Sequence, residues 1–321
     1  MNLHDNKELF MDAIAVTAQR MDIQEIFVEK DYWICYALNL IFQSQMKEEA
    51  IFKGGTALSK CYQLIDRFSE DIDLVVLRHG EESVNQLKNK LKKITQTIKA
   101  PLTEQDMEGI TNKLGMIRKI AYNYPKMFQG NFGQVRDTII IEATWLGHFE
   151  PYSKKMISSY IYEMMMETGQ AQMAEQYGLQ PFEALVLDKE RTLCEKIMSL
   201  VRFSYSENPI QDLRNKIRHV YDIHQLLKDG TLQGFFGSPD FEAMLLRVID
   251  DDVQSFKNNN DWLDHHPKEA LIFKEPKQTW DQLKGTYQNE FKELVFGEFP
   301  KEEEILATII AVAKRLEELK L

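Results

Sequence analysis

The chain has 321 residues, 44% of them hydrophobic, and its 39 Lys and Arg against 50 Asp and Glu give a formal net charge of −11. Such a chain can bury a sizeable core, and its negative charge opposes indiscriminate adhesion to nucleic acid. No apolar run approaches the roughly 20 residues of a membrane helix, and the N-terminus lacks the basic start and apolar stretch of a signal peptide. We therefore expect a cytoplasmic globular protein that does not enter a membrane.

Helical patterns occur in three parts of the chain. Between residues 6 and 46, apolar residues recur three or four positions apart, which predicts two N-terminal helices. Residues 83–98 predict a charged amphipathic helix, and from about residue 153 onward helical patterns dominate. The lysines of "LKNKLKKITQTIK" are Lys88, Lys90, Lys92, Lys93 and Lys99. They form either a local basic surface or the solvated face of a helix.

Strands are predicted where β-branched and aromatic residues cluster or alternate between turn residues. The segments are "AIFKGG" (50–55), "IDLVVL" (72–77), "TIIIEATWL" (138–146) and "ALVLD" (184–188). Between the first two, a helix is predicted to begin near Thr56 or Ala57. This order of elements predicts an α+β fold, in which a small mixed β-sheet core with N-terminal helices precedes a helical C-terminal half. We expect two domains, residues 1–185 and residues 186–321.

A glycine pair and a carboxylate pair lie close together in "FKGGTALSKCYQLIDRFSEDIDLVV". Asp71 and Asp73 stand one residue apart at the start of a strand, so both carboxylates lie on one face. Two carboxylates this close repel each other and need a compensating charge. Gly54 and Gly55 let the backbone approach a ligand closely, and the N–H groups of the following helix favour an anion such as phosphate. By itself, the glycine pair is more typical of an ordinary turn.

Taken together, the two pairs favour nucleotidyl transfer. Two strand-borne carboxylates beside a phosphate-binding turn can hold Mg²⁺, which takes hard oxygen ligands together with water and substrate phosphates. A two-metal transfer uses a third carboxylate from a neighbouring strand, for which Glu142 in "TIIIEATW" is the best-placed acid. The alternative for Glu142 is the solvated face of an edge strand. Arg67 and Ser69 precede the aspartates, where they can contact phosphate, orient the carboxylates or cap a turn.

An ordered set of motifs carries a family resemblance. "GGTALSK" followed by "RFSEDIDL" resembles the signature of the AbiEii/AbiGii nucleotidyltransferase toxin family, a branch of the DNA polymerase β-type nucleotidyltransferase superfamily. "VEKDYW" (28–33) resembles the N-terminal helix motif of that family, and "DKERTLCEKIMSLVRF" (188–203) resembles its lysine-bearing helix. "RHVYDIHQL" (218–226) is similar to its later Arg-Asp-x-Tyr-Asp segment. The resemblance implies that residues 1–185 form a nucleotidyltransferase domain.

The first motif implies roles for five positions. By resemblance, Gly54, Gly55 and Thr56 contact the phosphates of the nucleotide. The carboxylates of Asp71 and Asp73 correspond to the pair that holds the catalytic Mg²⁺.

The later motifs imply roles for two further residues. Lys196 matches the helix lysine that contacts the triphosphate of an NTP, a task that suits a point charge on a flexible stem. Asp222 matches the late aspartate, and we expect it to pair with Lys196 because an unpaired buried carboxylate is costly. His219 departs from the pattern, since an aspartate is common at its position.

The activity implied by the resemblance is transfer of NMP from an NTP to a cellular RNA or protein, with the tRNA 3′ end as the leading acceptor. The resemblance also implies toxicity, a cognate antitoxin encoded nearby, and a role in phage defence or growth control. The alternative is a non-catalytic nucleotide-binding or interaction protein on a degraded nucleotidyltransferase scaffold. The intact "DID" argues against this alternative, because adjacent carboxylates are costly where no metal binds them.

Overall fold

The structure, a computed structural model, describes residues 2–130, 135–147, 149–256 and 260–320. The helices are α1 (Lys7–Met21), α2 (Glu25–Phe42), α3 (Gly54–Lys60), α4 (Val84–Thr97), α5 (Tyr160–Glu167), α6 (Ala171–Gln176), α7 (Lys189–Ser204), α8 (Pro209–Asn215), α9 (Ile217–Lys228), α10 (Gly230–Phe236), α11 (Pro239–Ser255), α12 (Leu271–Lys274), α13 (Pro276–Thr286) and α14 (Glu302–Glu317). The strands are β1 (Ala50–Lys53), β2 (Asp71–Val76), β3 (Thr103–Gln105), β4 (Ile117–Asn123), β5 (Ile139–Thr144), β6 (Tyr152–Ile157) and β7 (Phe182–Leu187). No helix of these described ranges is long and apolar enough to cross a membrane.

The chain divides into two compact units. The first comprises the residues up to Gln63, Phe68–Trp145 and Tyr152–Leu187, so it contains strands β1–β7 and helices α1–α6. The second comprises Leu64–Arg67, Leu146–Pro151 and the residues from Asp188 onward, and its regular structure runs from α7 to α14. The α+β prediction is therefore confirmed, as is the prediction of two N-terminal helices.

A mixed sheet forms the centre of the first unit, with the strand order β3-β4-β5-β2-β1-β7-β6. Strand β2 pairs in parallel with β5, and β1 pairs in parallel with β7, whereas the other neighbours are antiparallel. Ile139, Ile140 and Ile141 of β5 are all buried, so both faces of the sheet are covered there. Burying such a side chain contributes about 1.5–3 kcal/mol. The β-branched run that identifies β5 in the sequence is thus a core strand.

Two sequence-based predictions were wrong in detail. Helix α3 begins at Gly54 rather than near Thr56, and Tyr152–Ile157 is a strand, although helices were predicted from about residue 153. Among the described strands, β6 lies at the edge of the sheet and pairs with β7 alone, so alternate side chains are exposed. Polar and charged residues are normal on such a strand because they discourage pairing with another sheet. The lysine-rich sequence consequently lacks a clear apolar alternation.

Candidate active site

The turn from β1 into α3 brings the backbone directly against a carboxylate. Gly54 has φ +82°, and a Cβ built there would lie 2.3 Å from Oδ2 of Asp73. An L side chain is disfavoured at this backbone angle and would collide with the carboxylate, so the position requires glycine. The Thr56 hydroxyl donates to the carbonyl oxygen of Asp71 at 2.6 Å and lies 3.0 Å from the Ser69 hydroxyl. Thr56 therefore ties the turn to the start of β2.

Four charged residues form a row across neighbouring strands. In the pairing register, Lys53 of β1 is opposite Asp73 of β2, Asp73 is opposite Glu142 of β5, and Glu142 is opposite Lys119 of β4. Residues opposite each other in a sheet project to the same face, as does Asp71, two positions before Asp73. The Lys119 ammonium lies 2.8 Å from Oε2 of Glu142. The sheet thus places the three predicted carboxylates on one face, with a lysine at each end of the row.

The carboxylates at the centre of this row are incompletely neutralised. Burial, followed by the nearby charges of Asp71 and Glu142, raises the pKa of Asp73 to about 7. Oδ1 of Asp71 is buried and accepts no hydrogen bond within the described part of the chain. The Arg136 guanidinium lies 3.7 Å from this oxygen. Crowded carboxylates with an unsatisfied oxygen are the environment that a bound cation would stabilise.

The donor chemistry of this face fits Mg²⁺ held jointly with a substrate. Within the described ranges, no group of three or more His, Cys, Asp and Glu side chains is placed to hold a metal ion. Glu142 faces Asp73 but pairs with Lys119, so the expected third carboxylate does not complete a protein-only site. Mg²⁺ is commonly bound through one or two carboxylates, with water and substrate phosphates completing its coordination. The oxygens of Asp71 and Asp73 meet this requirement.

A buried ion pair between Lys30 and Glu70 holds the chain in place just before β2. Lys30 of α2 is fully buried and lies 2.5 Å from Oε2 of Glu70, and it also donates to the Arg136 carbonyl. The same Glu70 oxygen accepts the Arg136 backbone N–H at 2.7 Å. Glu70 directly precedes Asp71, and the Arg136 guanidinium lies beside the Asp71 carboxylate. The network around Glu70 therefore positions both Asp71 and Arg136. This network was not predicted from the sequence, although the charged residues within the apolar pattern of α2 indicated that buried partners were needed.

The two neighbours of Lys30 anchor other segments of the same unit. The Glu29 carboxylate accepts the backbone N–H groups of residues 127–128 at 2.6 and 3.1 Å. Asp31 forms a buried ion pair with Lys60, the last residue of α3, and accepts the Tyr160 N–H at 2.8 Å. The motif "VEKDYW" therefore attaches α2 to several segments of the first unit through three consecutive buried charges.

In the second unit, Lys196 and Asp222 lie together, as the sequence suggested. Asp222 is fully buried, and its two oxygens accept from Nε and a terminal nitrogen of Arg67, both at 2.7 Å. Nζ of Lys196 donates to Oδ2 of Asp222 at 2.7 Å. Burial opposes ionisation of Asp222, but the charges of Arg67 and Lys196 outweigh it and hold its pKa well below the ordinary value. Two cations thus share one carboxylate in this cluster.

His219 adds an unsatisfied nitrogen to the second unit. Its Nδ1 is buried and has no hydrogen-bond partner among the described residues. Burial, and secondarily the charge of Lys196, lowers the pKa of His219 well below its ordinary value. The imidazole is therefore neutral at pH 7, whereas an aspartate at this position would add a negative charge.

Comparison with known proteins identifies the family. A family model described as "Nucleotidyl transferase AbiEii toxin, Type IV TA system" matches residues 37–308. No curated protein matches significantly. Among solved structures, a candidate nucleotidyltransferase from H. pylori shows 14% identity and a TM-score of 0.47, with 93% of this chain and 100% of that chain covered. MenT4, a nucleotidyltransferase toxin from Mycobacterium tuberculosis, shows 13% identity and a TM-score of 0.42, with coverages of 85% and 98%. Because the family model spans most of the sequence, the chain is a nucleotidyltransferase that belongs to the AbiEii toxin family of type IV toxin–antitoxin systems.

Proposed function

We propose that this enzyme uses Mg²⁺ to transfer NMP from an NTP to a cellular RNA, with the tRNA 3′ end as the acceptor. The observation that carries the proposal is the crowded carboxylate face, where the pKa of Asp73 is raised to about 7 and Oδ1 of Asp71 lacks a hydrogen bond among the described residues. A protein gains no stability from such an arrangement unless a cation compensates it. Mg²⁺ would supply that positive charge, and it also binds the phosphate oxygens of a nucleotide.

Asp71 and Asp73 would hold Mg²⁺ in this proposal. When bound, Mg²⁺ neutralises charge on the triphosphate and orients its phosphates. The backbone of Gly54 and Gly55 would contact the triphosphate, while Thr56 acts indirectly by fixing the turn. A second support is the cationic rim of the face, since Lys53, Lys119 and Arg136 can attract phosphate oxygens.

Glu142 would assist the acceptor hydroxyl. The hydroxyl oxygen forms a bond to the α-phosphorus as the bond from that phosphorus to the pyrophosphate oxygen breaks. The hydroxyl proton passes to the Glu142 carboxylate, and pyrophosphate leaves. The position of Glu142 opposite Asp73 supports this assignment, and its ion pair with Lys119 keeps the carboxylate on the strand face.

We also propose nucleotide contacts from Ser69 and Lys196, with Asp222 as a catalytic residue that pairs with Lys196. Ser69 lies beside the Thr56 hydroxyl at the approach to β2. By resemblance to the family, Lys196 would contact a nucleotide phosphate, with Asp222 holding its side chain in one orientation. The excess of cations over carboxylates in the Arg67, Lys196 and Asp222 cluster supports this role.

The biological setting follows from the same chemistry. NTPs and tRNA are cytoplasmic, so we place the reaction in the cytoplasm. Modifying tRNA 3′ ends would block translation, which accounts for toxicity and for a cognate antitoxin encoded nearby, and it would suit a role in phage defence.

The test is a labelling experiment with purified protein. Each radiolabelled NTP would be incubated with Mg²⁺, total RNA and soluble extract, using wild type, Asp71→Ala and Asp73→Ala. Asp106→Ala is the matched control, because Asp106 is an exposed acid of the same unit. We expect label in a tRNA-sized band with wild type and the control, and none with the two site variants. Label confined to protein, or transfer that persists without Asp71 and Asp73, would overturn the proposal.

A further inference from the structure

A basic groove lies in the first unit between α4 and the segment that leads into β4. It has a volume of about 180 Å³ and is lined by Lys88 and Lys92 of α4 together with Lys113, Leu114 and Arg118. Among the described residues, no acidic side chain lines it. In a chain with a net charge of −11, four cations around one groove are a pronounced local exception.

The charges in the groove are only partly compensated. The side chains of Lys88 and Lys92 are exposed and form no hydrogen bond or ion pair within the described ranges. Like charges four positions apart on a helix repel each other by a few tenths of a kcal/mol. By contrast, Lys90 of the same helix contacts both Glu49 and Glu82, each within 2.8 Å. Acids outside α4 thus neutralise Lys90, whereas Lys88 and Lys92 remain available to an anion.

The wall of the groove opposite α4 is also basic. Lys113 pairs with Glu104, and Nε of Arg118 donates to the Thr95 hydroxyl of α4 at 2.8 Å. This bond orients Arg118 toward α4 while leaving other guanidinium donors for a ligand. Leu114 is 81% exposed and offers an apolar surface beside the cations.

The groove belongs to the same unit as the carboxylates but lies on the other face of the sheet. Arg118 and Lys119 are consecutive in β4, so their side chains project to opposite faces of the sheet. Lys119 pairs with Glu142 on the carboxylate face, and the bridge between Asn112 and Lys119 places the Lys113 segment at the rim between the two faces. A flexible strand held in the groove would therefore pass around the edge of the sheet to reach the carboxylates.

We infer that this groove binds the phosphodiester backbone of the RNA acceptor, an inference that rests on the function proposed above. Lys88 and Lys92 stand about 6 Å apart along the helix axis, so they can contact separate phosphates of one strand. Within the part of the chain that the structure describes, the lining contains no aromatic side chain on which a base could stack. Contacts of this kind position a nucleic acid without reading its sequence.

Two double variants test the groove. Lys88→Glu with Lys92→Glu reverses two groove lysines, whereas Lys93→Glu with Lys99→Glu makes the same change in net charge at two exposed lysines outside it. Binding of a fluorescein-labelled single-stranded RNA would be measured by anisotropy over a range of salt concentrations. Binding of a fluorescent NTP would report the integrity of the nucleotide site.

We expect the groove variant to bind the RNA on the order of tenfold more weakly and the control to bind nearly as wild type. The slope of log affinity against log salt should decrease by about 1.4 in the groove variant, because each lost phosphate contact on a single strand contributes about 0.7. NTP binding should be unchanged in both. Equal losses in the two variants, or no loss in either, would overturn the inference.

A transfer assay separates this inference from the proposed function. If wild type labels RNA and the groove variant labels it equally fast at limiting RNA, the groove is not the acceptor site although the function stands. If wild type neither binds nor labels RNA but labels a protein, the acceptor assignment and the groove inference both fail. Slower labelling by the groove variant alone, restored at high RNA concentration, supports both.

Discussion

Replacing Gly54 by alanine should disable the enzyme while changing its stability only moderately. The added Cβ would lie 2.3 Å from Oδ2 of Asp73, whereas ordinary contact begins at 3.4 Å, so the carboxylate must move by about 1.1 Å. A misplacement of about 1 Å in a reacting group can reduce the rate by about 100-fold. The positive φ adds strain of about 1–2 kcal/mol, which should lower the melting temperature by a few degrees. We therefore expect Gly54→Ala to reduce single-turnover NMP transfer by about 100-fold.

A second glycine separates the collision from the backbone strain. Gly109 has φ +74°, and a Cβ built there would meet no atom of the described residues within 4 Å, so Gly109→Ala carries the strain alone. Gly54→Ala should lose at least as much stability as Gly109→Ala in thermal denaturation, but only Gly54→Ala should lose transfer activity. If Gly54→Ala transfers NMP as fast as Gly109→Ala, the close approach to Asp73 is not required for catalysis.

Three further predictions concern buried charges. Asp222→Asn should lower the free energy of unfolding by about 3–5 kcal/mol, because Arg67 and Lys196 lose their shared carboxylate. The pKa of Asp222 is depressed in the folded state, so this stabilisation is present above the unfolded pKa of about 3.9 and is lost as pH falls through the folded pKa. In urea denaturation, the stabilities of wild type and Asp222→Asn should therefore converge in strong acid. Lys30→Met should cost about 3–5 kcal/mol by removing the buried cation closest to Glu70, and adding Glu70→Gln should recover part of that loss in the same assay. Asp73→Asn should abolish transfer but raise the melting temperature in metal-free buffer at about pH 8, where the wild-type carboxylate, with its pKa raised to about 7, is ionised among other acids.

Control variants and contradicting results can be specified for these three predictions. Asp281→Asn removes an exposed acid paired with Lys284 and should leave the urea midpoint nearly unchanged. Equal effects of Asp222→Asn and Asp281→Asn would mean that the buried cluster contributes no special stability. Additive losses in the Lys30 and Glu70 double variant would show that the two residues are not coupled. An unchanged or lower melting temperature for Asp73→Asn would contradict the inferred carboxylate repulsion.

The chemistry of the first motif could be predicted because its determinants are local. Asp71 and Asp73 share a face through the two-residue period of a strand, and Gly54 marks a turn that other residues tolerate poorly. Hydrophobic periodicity likewise identified α1, α2 and β5. Strand β6 was not predicted because an edge strand needs no continuous apolar pattern. Its partner β7 also lies beyond two intervening helices in the chain.

The sequence by itself determined the α+β class, the family motifs and the carboxylate pair, since each depends on residues close together in the chain. Only the tertiary structure decided that Glu142 faces Asp73, that Lys30 supports Glu70, and that Lys88 faces Arg118 across a groove. Strand order and register bring such residues together across tens of positions. The sequence shows that a charged residue requires either a partner or solvent, but only the fold determines which residue becomes the partner.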